Sequence, residues 1–149
     1  PCNTAHHYAG DIRAAVNIPF LDMVAASARA ALAVAGLGGK VGLLASPAVA
    51  KVGLFDGALA ALGLEVVHPD DGAALLDAIR EIKAHGPTDA ARAALQAASG
   101  ALLAKGAEVQ LIACTEFSLI ADAVAPGARA IDTLDVLVNE IVGFARASA

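Results

Sequence analysis

The chain has 149 residues, 58% of them hydrophobic, with 10 Lys and Arg set against 15 Asp and Glu for a net charge of −5. That length and apolar content suit an ordinary globular domain with a sizeable core, while the acidic balance, the single Tyr, the lack of Trp and the scattered Lys and Arg argue against a nucleic-acid partner. Mean hydropathy is high, yet the longest uncharged run, Ala93–Ala104, is far short of the roughly 20 residues a helix needs to cross about 30 Å of hydrocarbon, so no membrane partner and a cytoplasmic location are expected.

In chain order, PCNTAHH opens the sequence and AGDIRAAV reads as a short helix. NIPFLDMVAASARAALAVAGLGG reads as an extended piece followed by a helix that stops at glycines. KVGLLAS is a strand, and PAVAKVGLFDGALAALG a helix with Ser46 placed to cap it and Pro47 at its first position. LEVVHP is a second strand. DDGAALLDAIREIKAHG follows as a helix with Leu75, Leu76, Ile79 and Ile82 at helical spacing, and TDAARAALQAASGALLAKG as another with Leu95, Leu102 and Leu103 on one face. AEVQLIAC and the weaker ARAID complete the strands, and a last helix from about Thr133 has Leu134, Leu137, Val138 and Ile141 as its expected buried stripe. Strands that are apolar on both faces and alternate with helices predict an α/β fold, a parallel sheet in a three-layer arrangement. In such sheets ligands sit beyond the carboxyl ends of the strands.

Both cysteines fall at that kind of position. Cys2 in CNT and Cys114 in CTE are each followed by a helix-like stretch, and Cys114 ends an apolar strand. By analogy Cys2 follows a strand too, one expected upstream of residue 1. First-turn N–H groups favour an anion and are expected to lower a cysteine pKa from about 8.5. Taken alone, each cysteine reads as a small buried hydrophobe, but two at matching positions point to chemistry, and two thiols in a large apolar chain do not make a disulfide scaffold. His6 and His7 raise a metal site, but zinc needs three or four ligands and no partner cluster is evident, so packed or solvated histidines are expected. GLGGK at Gly36–Lys40 precedes a strand rather than following one, and reads as a helix stop instead of a phosphate loop.

PCNTAHH together with ACTEF resembles the signature pair of the aspartate/glutamate racemase family, whose members need no pyridoxal phosphate; KVGLLAS, Lys83 in REIKAHG and AIDTLDVL extend the resemblance along nearly the whole chain. The resemblance implies two α/β domains facing each other across a cleft. Each supplies one catalytic cysteine, here Cys2 and Cys114. It also implies that residues 1–36 belong to the first domain, whose first half is missing from this chain, that 37–132 form the second, and that 133–149 return to the first. No cofactor is expected, the partner is a small amino acid, and a homodimer is anticipated.

Asn3, Thr4, Ser46 and Thr115 match family positions that hold the substrate's α-carboxylate or amino group, although each also suits helix capping. Lys83 matches a lysine that pairs with a substrate carboxylate; its plain alternative is a cation placed by the dipole at a helix end. Glu116 matches the acidic member of the second motif, poised to contact the ammonium or to set the neighbouring thiol. Ala113 stands where the family usually has glycine, and Ser46-Pro47 replaces a threonine stretch. The expected activity is racemisation of aspartate or glutamate by proton transfer between two thiols on opposite faces of the α-carbon. Two-cysteine hydantoin racemases and maleate isomerases are the nearest alternatives, and a non-catalytic dicarboxylate-binding protein is the alternative from another class.

Overall fold

The structure is a computed structural model that describes residues 2–147. Pro1 of the opening motif and residues 148–149 beyond the last helix lie outside the described residues. Strands β1 (Lys40–Ala45), β2 (Glu65–Val67), β3 (Val109–Ala113) and β4 (Ala130–Asp132) form one sheet in the order β2-β1-β3-β4, with every pair parallel. The two central strands run in register from Val41 opposite Val109 to Ala45 opposite Ala113, so both end at the same level.

Alternation along these strands divides the core in two. Val41, Leu43, Ala45, Val109, Leu111 and Ala113 face α2 (Met23–Ala35) and α4 (Leu54–Ala60), where they meet Val24, Ala28, Ala31, Phe55 and Leu59. Leu44 and Ile112 point the other way, into α5 (Gly72–His85) and α6 (Asp89–Ala104), against Leu75, Ile79, Ile82, Leu95 and Leu102. The expected parallel α/β sheet with helices on both faces is therefore present. Leu76 and Leu103 sit half-buried at the margins of their stripes. Gly42 marks a tight approach of α6 to β1, because a Cβ there would lie 3.0 Å from Leu102 Cδ1 and 3.1 Å from Ala107 Cβ. A side chain at this position would press α6 outward from β1.

Local signals open the long helices. Asp22 accepts from the Ala25 N–H at 3.0 Å, Asp71 from Ala74 at 2.9 Å and Thr88 from Ala91 at 3.2 Å. Asp22 also pairs with Arg13. Burial works against its ionisation, yet the Ala25 N–H, Arg13 and His6 outweigh that and hold its carboxyl below the usual range. The glycine stop after α2 is Gly36, at φ +77.

Three expectations need correction. The helix predicted across 47–63 breaks into α3 (Pro47–Lys51) and α4, because Gly53 takes a left-handed φ of +62. Ser46 does not cap α3 with its side chain; its carbonyl instead accepts from the Val49 N–H at 3.0 Å. The stripe on α8 (Thr133–Ala147) is only partly covered, with Leu134 and Leu137 half-buried but Val138 and Ile141 each 47% exposed. Helix α8 rests on α2 and on the β3–β4 edge, and that contact is narrower than the apolar stripe.

One polar group sits in the core by design of its partners. Gln110 is wholly buried in β3, accepts from Ser99 Oγ at 2.7 Å and donates to the Ser99 carbonyl at 2.8 Å, while Ser99 Oγ accepts from the Ala125 N–H at 2.9 Å. These bonds tie α6, β3 and the loop before β4 together. Gln110→Leu strands the Ser99 groups, so we expect a loss of about 1–3 kcal/mol in unfolding free energy by chemical denaturation. An unchanged midpoint would contradict this account of the core.

Candidate active site

A cleft of about 290 Å³ opens at the carboxyl ends of β1 and β3. The chain start contributes Cys2, Asn3 and Thr4; Ser46 follows β1; Lys83 and Ile79 reach in from α5; and Ala113, Cys114, Thr115 and Glu116 continue from β3. The two cysteines and the six residues expected to bind substrate thus line one cleft, and His6 and His7 do not. A larger groove of about 700 Å³ lies between α2 and α8, but neither thiol lines it.

Cys2 and Cys114 are free thiols. Cys2 is exposed beside the short 3-10 turn Thr4–Tyr8 that leads into α1 (Ala9–Ala15). His6 anchors this segment: its Nε2 accepts from the Met23 N–H at 3.2 Å, which leaves the ring proton on Nδ1 to be donated to the Cys2 carbonyl at 3.1 Å. His6 is a packing residue that ties the Cys2 loop to the start of α2, while His7 lies edge-on to the Tyr8 ring. Among the described residues, no group of three or more metal-ligating side chains exists.

Cys114 ends β3 in extended conformation and precedes α7 (Thr115–Ser118). Its Sγ donates to Glu116 Oε2 at 3.0 Å, and Glu116 Oε1 lies 3.4 Å from Lys83 Nζ. The expected lowering of the thiol pKa by first-turn N–H groups is not found at Cys114. Burial first, and the Glu116 carboxylate second, push it from 9.0 up to about 12; the Glu116 and Phe117 N–H groups pull downward but do not prevail. A helix of a single turn adds too little dipole to oppose an adjacent carboxylate and desolvation.

Glu116 is held ionised. Burial opposes this, but the Cys114 hydrogen bond and Lys83 keep its carboxyl below the usual range. Thr115 Oγ1 lies 3.5 Å from the same Oε2. Lys83, in the last turn of α5, is mostly exposed and is paired across the cleft.

Sequence reasoning passed over Thr133. It is buried at the start of α8, accepts from Asn3 Nδ2 at 3.1 Å and donates to the Ile112 carbonyl at 3.0 Å. A hydroxyl directly after ARAID was the available signal. Asp132 beside it accepts from Ser118 Oγ at 2.9 Å and from the Leu134 N–H at 2.8 Å; burial raises its carboxyl in spite of both.

A model of the Asp/Glu/hydantoin racemase family matches residues 1–141. The chain belongs to that family. Its fold is similar to that of an aspartate racemase from Picrophilus torridus, with a TM-score of 0.71 and 26% identity over 89% of this chain and 54% of that one. It is also similar to a homologue of aspartate racemase from Pyrococcus horikoshii OT3, with a TM-score of 0.78 and 25% identity over 97% of this chain and 64% of that one. A glutamate racemase from Bacillus anthracis shares the fold at 18% identity, with a TM-score of 0.75 over 99% of this chain and 57% of that one. This racemase-family chain therefore spans between 54% and 64% of the length of these structures.

The elevated Cys114 pKa depends on a carboxylate that can be removed. In a Cys2→Ser background, Glu116→Gln is expected to bring the Cys114 pKa below about 12 while burial keeps it above 9.0. Iodoacetamide alkylation followed by mass spectrometry as a function of pH measures this. A slower reaction in the variant would show that Glu116 activates the thiol instead of restraining it.

Proposed function

We propose that this cleft racemises an acidic amino acid, aspartate or glutamate, by two-thiol proton transfer without pyridoxal phosphate. The observation that carries the reading is the convergence of both free cysteines with Lys83, Glu116 and the short polar side chains on one cleft from separate stretches of the chain. In the arrangement the family resemblance implies, a second α/β domain closes the cleft and the working form is a cytoplasmic homodimer.

The chemistry needs a base on one face of the α-carbon and an acid on the other. A thiolate takes the α-proton and becomes a thiol, and the electron pair left on the α-carbon delocalises into the α-carboxylate. The opposite thiol then gives its proton to that carbon and becomes a thiolate. Cys114, kept protonated by burial and Glu116, is the donor to the enantiomer that Cys2 deprotonates. That turnover leaves Cys2 as the thiol and Cys114 as the thiolate, the pairing the opposite hand requires, and Glu116 Oε2 stands 3.0 Å from the Cys114 sulfur.

Lys83 offers the cation for a substrate carboxylate and Thr4, Ser46 and Thr115 offer hydroxyl donors. Exclusion of water strengthens each of these contacts. Glu116 already pairs with Lys83 at 3.4 Å, so an incoming carboxylate competes with Glu116 for the same cation.

Chiral chromatography after incubation with single enantiomers of aspartate and glutamate tests the proposal. Cys2→Ala and Cys114→Ala are each expected to cut racemisation by at least about 10²-fold, the lower range for a positioned acid or base. Normal racemisation by either variant would sink the two-thiol mechanism, and calorimetric binding without turnover by the wild type would replace the enzyme with a dicarboxylate-binding protein. Lys83→Ala is expected to raise KM for a dicarboxylic substrate more than for a monocarboxylic one; no change in either would return Lys83 to a helix-end role.

A further inference from the structure

Thr133 lies outside the residues that line the cleft, yet its hydroxyl governs one that does. Thr133 is 1% exposed and has two neighbours within hydrogen-bonding distance, the Ile112 carbonyl at 3.0 Å and Asn3 Nδ2 at 3.1 Å. A backbone carbonyl only accepts, so the single hydroxyl proton is committed to Ile112. What remains on Thr133 Oγ1 is acceptor capacity, and the side chain facing it must be a donor. Asn3 is thereby obliged to turn its NH₂ toward Thr133.

The other atom of that amide is then left over. Asn3 is 3% exposed and lines the cleft, and its Oδ1 is buried with no hydrogen-bond partner among the described residues. A buried carbonyl oxygen without a donor is unfavourable unless a ligand brings one. The partner it selects is a hydrogen-bond donor. An ammonium group fits, and a carboxylate does not.

We propose that Thr133 is a positioning residue that locks the Asn3 amide with its oxygen free, so that the cleft selects ligands by their ammonium group. This rests on the amino-acid racemase reading and resolves which end of the substrate Asn3 meets. The same hydroxyl joins the two cysteine segments, since Asn3 follows Cys2 directly and Ile112 stands two residues before Cys114.

The probes are racemic aspartate and succinate, which carry the same two carboxylates and differ by the ammonium, titrated calorimetrically into the full chain. Wild type and Thr133→Ser, which keeps the hydroxyl, are expected to prefer aspartate by about tenfold or more, as hydrogen bonds to charged groups do. Thr133→Val keeps the shape but frees the amide to turn over, and its preference is expected to fall toward one. A general loss of stability weakens both ligands and leaves their ratio alone. A Thr133→Val protein with the wild-type ratio overturns the proposal.

Should Thr133→Val fail to fold, the wild type decides by nuclear magnetic resonance. The Asn3 side-chain amide protons are expected to exchange slowly and to keep their shifts when aspartate binds, because they face Thr133. Large shifts on those protons overturn the assignment. Equal binding of aspartate and succinate by a racemising wild type also overturns it while leaving the racemase reading standing. Binding of neither, with glutamate and glutarate equally unbound, removes both.

Discussion

The parallel pairing of β1 with β3 is the constraint on which the rest depends. Their register, from Val41 opposite Val109 to Ala45 opposite Ala113, brings both strands to an end at one level. Ser46 and Cys114 therefore leave the sheet side by side. Burial of β3 and of β1 beyond Lys40 makes this register hard to slip, because a shift by one residue would exchange the faces that meet α2 and α5. Helix α5 packs below the same edge through Leu75, Ile79 and Ile82, and that places Lys83, one residue further, at the mouth of the cleft.

At that edge, the chemistry is set by a short chain of contacts from Cys114 through Glu116 to Lys83. Desolvation and a neighbouring carboxylate act in the same direction on the thiol, and together they exceed what backbone N–H groups return. The result is a cysteine that holds its proton and a glutamate that stays charged. The exposed Lys83 contributes little to stability by its ion pair alone, since surface pairs are worth about 0–1 kcal/mol. Its exposure leaves it free to exchange one carboxylate for another.

The opening segment is fastened by polar contacts instead of by a strand within the described residues. His6 links the Cys2 carbonyl to the Met23 N–H, and Asn3 links through Thr133 to the Ile112 carbonyl. Two tethers converge on the loop that carries Cys2, one from the start of α2 and the other from the start of α8. Each is a directional bond with its donors and acceptors assigned by chemistry, which holds a loop more specifically than apolar contact does. The partly exposed stripe of α8, with Val138 and Ile141, lies on the same helix that supplies one of these tethers.

Much of this was legible in the sequence because it is local. Continuous apolar runs identified the buried strands, the helical spacing of Leu75, Ile79 and Ile82 and of Leu95 and Leu102 identified two helices, and glycines marked a helix end. The residues of the cleft were reached through the resemblance of PCNTAHH and ACTEF to the racemase signature, and for Ser46 and Cys114 topology agrees, since strand ends in a parallel sheet converge. Tertiary structure alone decided what depends on distant partners. The Cys114 pKa turned on burial, which the fold supplies, and on the Glu116 carboxylate more than on the N–H groups of the turn that carries it. Ser46 stands at the N-cap position of α3 without a side-chain capping bond and lines the cleft, and the left-handed backbone of Gly53 divided one predicted helix into two. The orientation of Asn3 was fixed by a hydroxyl 130 positions away, because a hydrogen bond between remote residues exists only once the fold has brought donor and acceptor together.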